Sequence, residues 1–160
     1  MKKKVSIDFD GTLSRKDVQA FAKRLIDEGH EVWIVTSRFD DAEGLAQNWN
    51  WIPTQNQKLF KVAEELGIPE SRIKFTNMIP KIDFLLGKGF AFHLDDDESE
   101  LFDILESKDS CQPLNVGHSD WEYFCKGNTS RRFSNKQNYN RTTNCYFSEQ
   151  TDNKRRFSIA

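Results

Sequence analysis

Asp8 and Asp10, separated by Phe9 and followed by Gly11 and Thr12, are the carboxylates best spaced for chemistry in this 160-residue chain. They close the run Val5-Ser6-Ile7, whose apolar alternation predicts a buried strand that the glycine breaks. Side chains alternate along a strand, so this spacing sends both carboxylates the same way at its C-terminal tip. Ligands of open α/β sheets bind at that edge. Two carboxylates held together repel unless one keeps its proton or a cation lies between them, and a hard ion such as Mg²⁺ suits an oxygen-only pair. The same five residues also suit a plain acidic turn, so the rest of the chain must discriminate.

The elements that position such a pair can be read from periodicity. Ser14 to Asp17 has the form of a capping box, and Val18, Phe21, Ala22, Leu25 and Ile26 recur at helical spacing up to a stop at Gly29. Residues 31–36 are nearly continuous in apolar character, as buried parallel strands are, and strand–helix–strand with short joints predicts a right-handed βαβ unit. A weaker helical stretch is expected to end near residues 49–53. Leu59, Val62, Ala63 and Leu66 mark another helix, stopped by Gly67. Residues 73–76 predict a short third strand and 81–86 a short helix. A fourth strand over 90–94 runs into Asp95-Asp96-Asp97, a helix follows through Leu101, Ile104 and Leu105, and residues 113–116 suggest a fifth strand. The fold class is therefore α/β, a Rossmann-like three-layer sandwich on a parallel sheet.

Strands one, two and four thus end in Asp8 and Asp10, in Thr36, and in Asp95 and Asp96, with Lys81 one short helix before the fourth. In that order the sequence resembles the haloacid dehalogenase (HAD) superfamily over residues 4–106. The resemblance implies the strand order 5-4-1-2-3 and a phosphatase that works through an aspartyl-phosphate. Asp8 matches the nucleophile and Asp10 the general acid/base, with Thr36 donating its hydroxyl to the phosphoryl group and Lys81 screening its charge. It further implies Mg²⁺ held by Asp8, by the main-chain carbonyl of Asp10 and by Asp95, with Asp96 as a ligand or an outer-shell group. Gly11, Thr12, Ser37 and Arg38 are the substrate-binding candidates. Arg38 also reads as a surface ion pair, Ser37 as an N-cap, and Lys74 or Lys88 could stand in for Lys81. Cap domains of the family enter after the first or the third strand. Neither joint has room for one here, so the resemblance implies a capless enzyme with an open site.

Charge is divided unevenly. Residues 126–160 carry eight basic and two acidic residues, a balance of +6, against -8 for residues 1–125. The tail lacks any helical or strand period, so a hydrolase domain is expected over 1–125 and a basic, disordered extension over 126–160. Such a tail suits nucleic acid through counterion release, or simple solubility. No apolar run approaches a membrane span, so no membrane partner is expected. Three cysteines at no recognised spacing predict free thiols in a reducing cytoplasm, and Cys111, His118 and Cys125 match no structural zinc pattern. Trp49 and Trp51 either stack a base or cover the sheet edge. The favoured substrate is a phosphomonoester on a nucleotide or a nucleic-acid end. The alternative is a non-catalytic module that binds metal and nucleic acid. Composition leaves the oligomeric state open.

Overall fold

Five strands all run in one direction in the computed structural model, which describes residues 1–130. They are β1 (Lys4–Ile7), β2 (Glu31–Thr36), β3 (Ile73–Phe75), β4 (Phe90–Asp95) and β5 (Gln112–Asn115). Their order is β3-β2-β1-β4-β5, which is 5-4-1-2-3 read from the opposite edge. Because the strands are parallel, Asp8, Thr36, Thr76 and Asp95 all arrive at the same C-terminal edge.

The helices are α1 (Lys16–Asp27), α2 (Asp41–Ala46), α3 (Trp51–Leu66), α4 (Lys81–Leu85), α5 (Glu98–Ser107) and α6 (Trp121–Thr129). They form two layers around the sheet. Val5, Ile7, Val32, Ile34, Phe92 and Leu94 pack with Phe21 and Leu25 of α1, Leu59 of α3 and Trp121 of α6. On the other face Val35 and Phe90 pack with Leu85 of α4, Ile104 of α5 and Cys111, flanked by Trp33 and Phe84. Val32 and Ile34 therefore serve one layer and Trp33 and Val35 the other, which is why β2 is apolar almost throughout.

β4 carries an irregularity that matters for the site. Lys4 pairs with Phe90 but Ser6 pairs with His93, so β4 holds one extra residue at this point. Phe90 consequently joins the α4 and α5 layer, whereas Ala91 and Phe92 both join the other. Bulges of this kind re-aim the side chains beyond them, and here they bring His93 beside Ser6.

Several local expectations are corrected. Ser14 is not a cap: α1 starts at Lys16 with Arg15 at its N-cap and no side-chain cap bond. The turn Phe9–Leu13 continues into Ser14, whose N–H donates to the carbonyl of Phe9, and this delays the helix. Residues 51–53 begin α3 rather than ending the helix before it. Pro53 lies in the first turn, where its missing N–H is no loss. The preceding helix, α2, is shorter and is capped by the Asp40 carboxylate, which accepts from the N–H of Glu43 at 2.7 Å. α6 extends to Thr129 and so crosses the boundary expected near residue 125. The rest of the basic tail, with Cys145, lies outside the described residues.

Between β1 and α1 there are only Asp8, the turn Phe9–Leu13, Ser14 and Arg15, and between β3 and α4 only residues 76–80. Cys111 and Cys125 are free, buried and in opposite layers, which separates the residues weighed for zinc. Among the described residues no helix is long and apolar enough to cross a membrane.

Candidate acidic site at the sheet edge

β1 delivers Asp8 to the edge because the alternation holds through Phe9. Phe9 stays in the core with Val5 and Ile7, which leaves Ser6 and Asp8 on the opposite face. The N–H of Asp8 donates to the carbonyl of Leu94 at 2.9 Å, so β1 and β4 stay paired up to the two aspartates. Asp8, Asp95 and Asp96 each bring a carboxylate oxygen within 4.8 Å of the others.

Lys81 lies between the first two of these. Its ammonium donates to Asp8 Oδ1 at 2.8 Å and to Asp95 Oδ2 at 2.6 Å, and all three side chains are buried. Lys81 is the first residue of α4, after Pro80, and its N–H donates to Glu100 on α5 at 2.9 Å. The other two lysines weighed for this role lie elsewhere, over the ring of Phe84, with Lys74 at 5.5 Å and Lys88 at 3.6 Å from its centroid.

Burial governs the protonation of this group. Desolvation, joined by the neighbouring charge of Asp95, pushes the Asp8 carboxyl well above the usual range against the pull of Lys81. Desolvation also opposes the charge on Asp95, but the hydrogen bond from His93 and the ammonium of Lys81 outweigh it and hold that carboxyl low. Lys81 is desolvated as well, yet the two carboxylates keep its ammonium well above its ordinary value. Asp96 is raised by desolvation and by Asp95. Three carboxylates thus face one ammonium, which leaves two negative charges uncompensated if all ionise. An oxygen-only donor set with that surplus fits a hard divalent cation. Asp8, Asp95 and Asp96 are the residues that could hold it.

Asp10 is not part of this group. Its carboxylate is 60% exposed and forms a fork with Arg38, Nε to Oδ2 at 2.7 Å and Nη2 to Oδ1 at 2.6 Å. The guanidinium is itself held by the carbonyl of Gln55 at 2.8 Å and lies 4.9 Å from the ring centroid of Phe9. β1 ends at Ile7 and Phe9 already opens the turn Phe9–Leu13, so two-residue spacing does not bring the Asp10 carboxylate to Asp8. Thr36 is fully buried at the end of β2, and its hydroxyl accepts from the N–H of Arg38 at 3.3 Å. Ser37 lends its carbonyl to the N–H of Met78. Trp49 meets Phe39 edge to face at 5.0 Å, and Trp51 is 58% exposed.

Gly11 and Thr12 hold Asp96. The hydroxyl of buried Thr12 donates to Asp96 Oδ1 at 3.3 Å. A Cβ on Gly11 would fall 2.3 Å from Asp96 Oδ2, in a left-handed backbone that other residues resist. Gly11→Ala should therefore push Asp96 out of the group and weaken Mg²⁺ binding, roughly 10-fold or more by the scale of displaced metal-site partners. Calorimetric titration checks this, and an unchanged affinity would remove Asp96 from the donor set.

Sequence reasoning missed three residues of the site. His93, wholly buried, places Nε2 2.8 Å from Asp95 Oδ2 and Nδ1 2.8 Å from the hydroxyl of Ser6. Desolvation lowers its pKa, against the opposing pull of Asp95. Glu100 anchors the start of α4. The period-2 rule could have flagged His93, two residues before Asp95 on the same face, but nothing local marks Glu100. Comparison with family models, with curated proteins and with solved structures gives no match to this chain.

Proposed function

We propose that the protein is a Mg²⁺-dependent phosphatase of HAD type that hydrolyses a phosphomonoester, on a nucleotide or nucleic-acid end, through an aspartyl-phosphate on Asp8. The observation that carries the reading is the buried Lys81 ammonium shared by Asp8 and Asp95, with Asp96 beside them, at the C-terminal edge of a parallel sheet. Strongly perturbed carboxylates grouped at a strand edge are what a functional site collects, and phosphoryl transfer calls for groups that can hold a charge-neutralising cation.

The bound cation would neutralise charge on the transferring phosphoryl group, held by Asp8, Asp95 and Asp96. Asp8 attacks phosphorus, forming a new P–O bond as the ester P–O bond breaks, and Asp10 gives its proton to the departing oxygen. Asp10, now ionised, takes a proton from water as that water attacks the phosphorus, which frees phosphate and restores Asp8. Lys81 pulls Asp8 toward the carboxylate without overcoming its desolvation, and the bound cation would supply the rest of the charge that the nucleophile needs. The short joints on either side of the site leave Asp10 open to solvent, which suits a large or terminal substrate.

Arg38 bears on the second half of this cycle. The guanidinium fork holds the Asp10 carboxylate as a fixed acceptor, as its role as base requires, and it must loosen while Asp10 acts as acid. Arg38→Ala is expected to lower steady-state turnover about 10- to 100-fold, the scale of a displaced catalytic group. Phosphate transfer to Asp8 should be slowed less, so rapid-quench experiments should show a burst of the alcohol product. A burst lost in proportion to turnover would assign Arg38 to the first half instead.

The direct test is phosphate release from nucleotides, 5′- and 3′-phosphorylated oligonucleotides, sugar phosphates and a phosphopeptide, with Mg²⁺ and with EDTA. Metal-dependent turnover that Asp8→Asn abolishes supports the reading. A folded wild type that turns over none of them overturns it.

A further inference from the structure

We infer that His93, backed by Ser6, is a positioning residue that fixes the Asp95 carboxylate for its cation. The inference rests on the reading of Asp8, Asp95 and Asp96 as cation donors.

Ser6 on β1 and His93 on β4 face each other in register, and neither reaches solvent. A carboxylate can only accept, so the hydrogen between His93 and Asp95 belongs to Nε2. Nδ1 then faces the Ser6 hydroxyl, 2.8 Å away, which can donate to it. The carbonyl of Phe92 is the other acceptor in reach of that hydroxyl, but at 3.4 Å it is the poorer one. The distances favour the arrangement in which Ser6 donates to Nδ1 and Nε2 donates to Asp95.

That arrangement adds something Lys81 cannot. Lys81 and His93 both donate to Asp95 Oδ2, and the N–H of Asp97 donates to Oδ1 at 3.0 Å. The ammonium of Lys81 is a point charge with no plane of its own and is shared with Asp8. The imidazole is planar, rigid and locked by the sheet, so it sets the plane of the carboxylate. Being buried, His93 meets no substrate, and it acts through Asp95 alone.

A packing role and a donor role for His93 predict different things. Glutamine puts an amide N–H near the place of Nε2, asparagine only near that of Nδ1, and leucine neither. Metal-stripped full-length protein would be titrated calorimetrically with Mg²⁺ for the wild type, His93→Gln, His93→Asn and His93→Leu, after thermal melts in EDTA confirm folding. Loss of a hydrogen-bonding partner behind a ligand weakens binding about 10- to 100-fold. His93→Asn and His93→Leu should show that loss, and His93→Gln should recover most of it. Independently of any metal, ¹⁵N NMR of the imidazole should find the Nε2–H tautomer in the wild type and a mixture in Ser6→Ala.

A folded His93→Asn that binds Mg²⁺ as the wild type does, or a wild-type Nδ1–H tautomer, overturns the inference and leaves the phosphatase reading standing. Failure of the wild type itself to bind Mg²⁺ overturns both.

Discussion

Asp8→Asn should abolish phosphate release, by roughly 10³-fold or more as for other lost nucleophiles, while making the folded protein more stable in EDTA. The two effects share one cause. Asp8 is a buried carboxylate whose charge is opposed by desolvation and by Asp95, and an amide of the same shape removes that cost while Lys81 keeps Asp95 as its partner. Functional groups are often destabilising in this way. Near neutral pH the melting temperature should rise by a few degrees, about 2–4 °C for each ~1 kcal/mol in a chain of this size.

The sign of the pH dependence follows from linkage. An acid whose folded pKa is raised stabilises the fold while it is protonated, and that contribution fades as pH rises from its ordinary value through its folded one. Wild type in EDTA should therefore lose ground against Asp8→Asn as pH rises above about 4. Asp95, held low, works the other way: its contribution is present above the ordinary carboxylate range and lost as pH falls below it. Differential scanning at several pH values checks both. A mutant that melts below the wild type near neutral pH in EDTA would contradict the account of Asp8.

Lys81→Met should have the largest effect on stability. Removing one partner from a buried ion pair costs about 3–5 kcal/mol, because the other charge is left uncompensated. Here two carboxylates are left, Asp8 and Asp95, both out of water. Protonating one of them limits the cost, so the loss in EDTA should be greater at pH 8 than at pH 4. Mg²⁺ should restore part of it, because a cation among the same oxygens replaces the missing charge. Lys74→Met and Lys88→Met are the controls. Their ammonium groups lie over Phe84 near the surface, and such substitutions change stability by about 0.5 kcal/mol or less. Urea unfolding with and without Mg²⁺ measures all three. A Lys81→Met protein as stable as the controls would remove Lys81 from the centre of the site.

Much of this architecture is legible in the order of residues. The alternation through Val5, Ile7 and Phe9, the continuous apolar run of β2 and the helical spacing of α1 are short-range patterns that an alternating or helical backbone requires. A parallel sheet then brings the strand ends to one edge, so Asp8, Thr36 and Asp95 could be placed together before any contact was known. Local signals served less well where neighbouring elements compete. The turn after Asp8 took up the N–H groups of Leu13, Ser14 and Arg15, so the helix began beyond Ser14, and α3 began where the apolar pattern suggested an ending.

The partners of the charged groups were decided by tertiary structure. Lys81, Lys74 and Lys88 look alike as letters, and only the docking of α4 against Glu100 buries the first between two aspartates. Asp10 reads as a twin of Asp8, yet Arg38, 28 residues away, draws its carboxylate outward. Ser6 and His93 are 87 residues apart and meet because β4 carries one extra residue. Hydrophobic period acts between near neighbours and so is written along the chain. The energy of a buried charge depends on which distant groups share its low-dielectric surroundings, and only the folded chain brings those together.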